Sequence, residues 1–220
     1  MMQDCRLDDE LLKTAPRQVR VPFAKLKLQM DPFEYVCVLT SIVAGLAVTR
    51  LLGGVGQLIQ TRKRTPGYWV HSLWMVNTLM TVIIAWWVQY RWRTIEHWTL
   101  FLVLWLLVAP INLYLASALL FPNEQEGEPI TNWREHYFEH RHGFFVLIAA
   151  NFAIDLVDTL LKGWERFLSL GPLYAGSMLL FIVLGSVAAF TKSARYHAAF
   201  AVFYFLYNGA MLGSNLLRLT

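Results

Sequence analysis

An apolar segment, residues 143–163, carries three polar side chains, Asn151, Asp155 and Asp158. Because their spacing is i, i+4 and i+7, they form a single stripe on an α-helix. The segment is close to the length of about 20 residues that a helix needs to cross a bilayer. Carboxylates in such a helix are costly unless they face a bundle interior, an opposite charge or water. The sequence therefore predicts several membrane helices around a polar interior.

The composition supports a membrane protein and excludes an ordinary soluble domain. Hydrophobic residues make up 56% of the 220-residue chain and charged residues only 15%, which is too apolar for a soluble fold. The nine tryptophans are typical of helix ends at membrane interfaces. The formal charge of +4 suits anionic lipid headgroups, so we expect the lipid bilayer, and no nucleic acid, as a partner. No cofactor is predicted.

We predict an all-α fold, a polytopic transmembrane bundle of about six helices with a polar N-terminal tail. The tail, residues 1–30, is expected to be mobile, and the membrane domain covers residues 31–220. A long loop, 122–142, separates the third and fourth spans, and the other connections are short, so sequential helices should be antiparallel neighbours. The predicted spans are 34–60, 67–91, 97–121, 143–163, 169–191 and 196–217.

Most of these spans carry a polar residue near the midpoint, which predicts a polar centre for the bundle. The residues are Arg50, Asn77, Asn112, Asp155 and Asn208. We expect Arg50 to pair with Asp155, because their offset along the membrane normal is about 7–8 Å, within reach of a guanidinium. Asp158 is then left to water, to Lys162 at i+4, or to an asparagine of another helix. Other interpretations are a site for a transported cation or proton, and Arg50 reaching the far interface alone.

The leading functional interpretation is binding or passage of a small solute or ion through this interior, that is, a transporter. Asp155 and Asp158 are the candidate ligands or proton acceptors, Arg50 is the counter-charge, and the asparagines, including Asn151, complete the site. The alternative is a non-enzymatic accessory protein in which the polar residues only hold the helices together.

A third interpretation depends on His136, Glu139 and His140, which form the inverted zinc motif H-x-x-E-H. It would make the protein a membrane-surface metallohydrolase. The non-catalytic alternative is an interfacial amphipathic helix, with Asn132 as a helix cap. Candidates for the third metal ligand are few. No other catalytic motif is present, so no catalytic residue is predicted and an enzyme is not the expected outcome.

Two further patterns concern association and orientation. Gly209 and Gly213 form a G-x-x-x-G motif, which favours tight helix packing within the chain or, alternatively, an oligomer. When the tail is included, the positive-inside rule favours cytoplasmic termini. Met30 directly precedes Asp31-Pro32, a plausible helix start, and is a candidate for the original translation start.

Several strings together resemble a group of small uncharacterised bacterial membrane proteins with several spans, which begin near the equivalent of Asp31. The strings are DPFEYVCVLTSIVAGLAVTRLL, HSLW, the WW pair, APINLYLASALLFP and YFEHRHGFF. The resemblance covers about residues 31–150. It implies a bacterial inner membrane and Met30 as an ancestral start, and it brings no activity. In that pattern the histidine motif looks like an aromatic and basic helix entry.

Overall fold

The computed structural model describes residues 32–63, 65–95, 97–122 and 132–216. In these ranges the chain is all-α, with seven α-helices and one 3₁₀ helix. The predicted tail, Met30 and part of the long loop lie outside the described residues. The helices are α1 (Pro32–Thr61), α2 (Trp69–Gln89), the 3₁₀ helix (Tyr90–Thr94), α3 (Leu100–Leu119), α4 (Trp133–Leu161), α5 (Trp164–Ser169), α6 (Gly171–Phe190) and α7 (Ala194–Leu216).

Five of the described helices are long and apolar enough to cross a membrane: α1, α2 with its 3₁₀ extension, α3, α4 and α6. The protein is therefore a multi-pass membrane protein, and its apolar outer surface contacts lipid. Helix α7, with 23 residues, is also long enough to span. It carries His197 and Asn208, both buried, and it is not one of the five. A sixth span at 196–217 stays a prediction.

Local sequence signals set the boundaries of α4. The side chain of Asn132 accepts a hydrogen bond from the backbone N–H of Arg134 at 3.0 Å and caps the helix. Residues 133–142, predicted above as part of the long loop, are therefore the first turns of α4. At the other end Gly163, with φ of 122°, separates α4 from the short helix α5.

Contacts between helix ends give the bundle two defined ends. The 3₁₀ helix that follows α2 meets the end of α4 through Trp92 and Asp158, and the start of α4 meets the start of α7 through Tyr137 and His197. We call the end at which α1 begins and α7 ends the terminal end. The opposite end, where α4 and α7 begin, is the loop end.

Aromatic rings fill the half of the bundle near the loop end. Trp74 is fully buried, and its ring centroid lies 5.0–5.4 Å from four other rings. We call this set the aromatic layer: Trp74, Phe144, Phe145, Phe200 and Tyr204. Its members come from α2, α4 and α7, so the layer joins three helices across the interior.

Helices α4 and α6 approach closely because glycine and alanine face each other. A Cβ atom added at Gly185 of α6 would lie 3.1 Å from the Cβ of Ala149 in α4. Gly176, on the same helix, has no heavy atom within 4 Å of the equivalent position. Close packing of α4 on α6 thus depends on Gly185 and not on Gly176.

We expect Gly185→Leu to destabilise the folded protein by about 1–3 kcal/mol, because the added side chain overpacks the α4–α6 contact. Gly176→Leu is the matched control and should leave stability unchanged or slightly raised. Both variants gain the same helix propensity. Denaturant unfolding in detergent micelles, followed by tryptophan fluorescence, measures the difference. Equal stability of the two variants would show that the contact is not tight.

Candidate functional site

A cavity of about 320 Å³ lies between the helices in the half of the bundle near the terminal end. It is lined by the second halves of α2, α4 and α7, the middle of α3, the first half of α6, parts of the 3₁₀ helix and α5, and residues Thr40 and Ala44 of α1. Most of these segments lie near the terminal end, because the helices alternate in direction. The volume is at the lower limit of small-molecule sites, about 300–1,000 Å³. The space therefore fits a small organic molecule and is larger than a bare ion requires.

The cavity stops at the aromatic layer. Among the described residues, Tyr204 and Asn208 line its inner end, and Tyr204 belongs to the layer. Beyond it, Phe145 and Trp74 are completely buried. Within the described chain, the cavity lining thus extends from the terminal half of the bundle to its centre and does not include Trp74 or Phe145.

Asp158 lies in this cavity and is fully engaged by protein groups. The indole N–H of Trp92 donates to Oδ1 at 3.0 Å, and the ammonium of Lys162 forms an ion pair with Oδ2. The side chains of Lys162 and Asp158 are only 5% and 16% exposed. The Lys162 ammonium also lies 5.0 Å from the centroid of the Trp92 ring. These contacts join the end of α4 to the 3₁₀ helix.

Asp155, one turn earlier, has a neutral partner instead. The hydroxyl of Tyr174 donates to its Oδ2 at 2.8 Å, and Thr159 lies 2.7 Å from the same hydroxyl. Tyr174 is on α6, so this bond crosses the α4–α6 interface. The other oxygen, Oδ1, receives no hydrogen bond from the described residues, and Asp155 is part of the cavity lining.

Asn77 and Asn208 are brought together between α2 and α7. The Asn77 amide donates to the Ala201 carbonyl at 3.0 Å, and the Asn208 amide donates to the Asn77 carbonyl and to Thr81 Oγ1, each at 3.2 Å. Both asparagines are almost completely buried. Since both recorded bonds of Asn208 use its nitrogen, its Oδ1 is left without a donor among the described residues. Asn208 and Thr81 line the cavity.

The predicted ion pair between Arg50 and Asp155 does not form. Arg50 Nη2 instead donates to the carbonyl of Pro122, near the loop end, at 2.8 Å. Helix α4 begins at Trp133 and α1 at Pro32, so Asp155 is far past the middle of α4 towards the terminal end. Measured from the two helix centres, the offset becomes about 17 Å, which is beyond the reach of the side chain.

The remaining predicted residues lie in separate places. Asn151 lines the cavity, one turn from Asp155. Asn112 donates to the Leu147 carbonyl at 3.0 Å and joins α3 to α4, and within the described chain it is not part of the cavity lining. Four of the predicted residues thus share one cavity: Asn151, Asp155, Asp158 and Asn208. The other three, Arg50, Asn77 and Asn112, make separate contacts between helices or with a loop.

The histidine motif lies on the first turns of α4. The rings of His136 and His140 have centroids 4.3 Å apart. The His136 ring also lies 6.4 Å from that of His71 on α2. Among the described residues, no group of three histidine, cysteine or acidic side chains is arranged to hold a metal ion. His136, Glu139 and His140 therefore have no third ligand in that part of the chain.

The G-x-x-x-G motif of α7 does not mediate packing within the described chain. No heavy atom lies within 4 Å of a Cβ added at Gly209 or Gly213, so the tight internal packing expected for them is absent there. The oligomer that the motif favours stays a prediction.

Sequence reasoning named Lys162 as a possible partner of Asp158 and missed the other partners of the two acids. Trp92 and Tyr174 lie on different elements from Asp155 and Asp158, and only a three-dimensional arrangement brings them together. The residue types alone indicate only that each side chain should have some hydrogen-bond partner, because buried tryptophan and tyrosine usually find one.

No protein-family model, curated protein or solved structure matches the chain. These comparisons identify no family, and the resemblance to small bacterial membrane proteins stays a prediction. The functional argument therefore depends on the cavity itself.

We expect Lys162→Met to cost about 3 kcal/mol of stability, because it leaves the Asp158 carboxylate buried without its counter-charge. The double variant Asp158→Leu/Lys162→Met should recover most of that loss, since it removes both charges. Lys192→Met, at an exposed position, is the control and should have little effect. Denaturant titration in micelles gives the free energies of unfolding. A double variant as unstable as Lys162→Met alone would contradict a simple ion pair.

Proposed function

We propose that the protein binds a small organic solute in the cavity near the terminal end, as part of carrying or sensing that solute at the membrane. The observation that supports this most directly is the cavity of about 320 Å³ with Asp155 in its wall. A carboxylate inside a membrane helix is costly and is typical of solute and ion paths. Asn151 and Asn208 add hydrogen-bonding groups to the same wall.

The composition of the lining also favours an organic solute. Most of the lining side chains are apolar or aromatic, as in small-molecule sites generally, and the polar ones come from several helices. The apolar and aromatic contributors include Leu106, Leu113, Phe152, Met178 and Tyr207. Such a wall holds the body of a ligand, and the polar groups fix its orientation.

Carriage across the membrane requires a second conformation. The aromatic layer closes the path towards the loop end, so a solute bound beside Asp155 reaches only one side. Passage would need rings such as Phe145 and Tyr204 to separate, which α7 can achieve by moving relative to α4. We place the protein in a bacterial inner membrane with cytoplasmic termini, which makes the cavity face the cytoplasm.

A structural accessory role is the second candidate, and the asparagine contacts favour it. Asn77, Asn112 and Asn208 each donate to a backbone carbonyl of a neighbouring helix. Such contacts hold helices together without any ligand. Under this alternative the space beside Asp155 is dry and excludes solutes, and water access to the cavity separates the two candidates.

We expect a cysteine at a cavity position to react with a membrane-impermeant methanethiosulfonate reagent, because thiolates form only where water reaches. The test uses Asn151→Cys in a chain whose Cys5 and Cys37 are serine. Leu179→Cys is the matched control, since Leu179 lies on the outer surface of α6 and faces lipid. Sealed vesicles of both orientations show which side gives access.

The rate at Asn151→Cys should be much faster than at Leu179→Cys, and from one side of the membrane only. Adding Ala109→Trp, which places a large ring in the cavity wall, should slow it. Equal, negligible rates at both positions would mean a dry interior and would favour the accessory role.

A further inference from the structure

The geometry points to an organic cation as the ligand of this cavity, with its ammonium group on Asp155 Oδ1 and its apolar body among the aromatic side chains. This inference rests on the proposed function and names its ligand class. It depends on which hydrogen-bonding groups of the cavity wall already have partners and which do not.

The two acids of the wall differ in this respect. Asp158 has one oxygen bound by the Trp92 indole and the other by the Lys162 ammonium, so its charge is compensated within the chain. Asp155 has only the neutral Tyr174 hydroxyl, on Oδ2, and no ion-pair partner is recorded for it among the described residues. One oxygen of this carboxyl is thus available to a ligand, and a cationic ligand would stabilise its ionised form.

A second, independent observation comes from Asn208. Its side chain is only 3% exposed, and its amide nitrogen is fixed by the Asn77 carbonyl and Thr81 Oγ1. Because a backbone carbonyl only accepts, this bond defines which end of the amide is the nitrogen. The carbonyl oxygen of Asn208 therefore faces away from these partners, as an acceptor without a donor in the described chain. This oxygen keeps some accessible surface, so it can accept a hydrogen bond from a ligand in the cavity that supplies N–H groups.

Both acceptors call for the same ligand chemistry. An ammonium carries up to three N–H donors and a positive charge, and its hydrogen bond to a carboxylate is stronger than a neutral one. The wall also contains Tyr174, Tyr204 and Tyr207, whose rings favour a nearby cation. A neutral alcohol satisfies one acceptor and leaves the charge of Asp155 uncompensated.

Basic side chains also line the cavity, and their position decides against an anion. The Lys162 ammonium is bound to Asp158, Arg91 is on the 3₁₀ helix, and Arg166 is on α5. Asp155 is three residues before Asp158, so it lies about 4–5 Å deeper in the bundle than the ion pair of Asp158 and Lys162. The basic groups belong to segments at the terminal end, where lipid phosphates attract them, and the deeper polar residues of the wall include an acid and no base: Thr81, Asn151, Asp155 and Asn208.

Three probes that share a phenylethyl group test the charge class: 2-phenylethylammonium, 2-phenylethanol and 3-phenylpropanoate. Binding to the purified full chain is measured as protection of Asn151→Cys from the thiol reagent and, independently, by calorimetry on the wild-type protein. We expect the ammonium to bind about tenfold to a hundredfold more tightly than the alcohol, as a charged hydrogen bond predicts. The carboxylate should bind more weakly than the alcohol.

Asp155→Asn should reduce the affinity for the ammonium to that for the alcohol, and should leave the alcohol unaffected. The substitution keeps an acceptor for Tyr174, so the helix contact is preserved. Glu165→Gln, which removes an exposed acid on α5 outside the cavity, is the control and should keep the preference. The wild-type probe series tests the preference even if Asp155→Asn is unstable.

Tighter binding of the alcohol or the carboxylate would overturn the cation assignment and leave solute binding intact. Absence of binding by all three probes would overturn the cation assignment, and the water-access measurement then decides whether the proposed function fails with it. An ammonium preference that persists in Asp155→Asn would overturn the role of that carboxylate.

Discussion

The bilayer interior offers no hydrogen-bonding partner, so every polar group inside this bundle must be matched by the chain itself or by something bound to it. The asparagines show the first solution. Asn77 and Asn208 bind backbone atoms across α2 and α7, and Asn112 does so across α3 and α4. Each contact of this kind contributes about 0.6–2 kcal/mol in membranes, and together they fix which helices are neighbours and at what depth.

This matching is incomplete in both halves of the bundle. Near the loop end, four side chains have a ring nitrogen that is buried without a hydrogen-bond partner in the described chain: His71, Trp74, Trp133 and His136. Near the terminal end, Oδ1 of Asp155 and Oδ1 of Asn208 have no donor among the described residues. The two halves differ in that the open acceptors of the terminal half line a cavity.

The sequence was sufficient to predict a helical membrane protein with a polar interior, because hydropathy and the spacing of Asn151, Asp155 and Asp158 are local properties. It also identified Lys162 as a possible partner of Asp158, since i, i+4 pairs depend only on helix geometry. The predicted pair of Arg50 and Asp155 was wrong because it places the start of the fourth span near residue 143. The helix begins ten residues earlier, at Trp133, where Asn132 caps it. Tyr174 and Trp92 were missed because hydrogen bonds between helices depend on rotation about the helix axis, which hydropathy does not define.

The contrast between Asp155 and Asp158 is the strongest argument that the interior is more than a means of holding helices together. They lie one turn apart on α4, yet Asp158 forms an ion pair with Lys162 and Asp155 accepts a hydrogen bond from the Tyr174 hydroxyl. Association of α4 with α6 does not require a carboxylate at residue 155, because Gly185 and Ala149 already bring the backbones into close contact. An apolar residue there would avoid the cost of a buried charge. We therefore propose that Asp155 binds a positively charged group that enters the cavity from outside the chain.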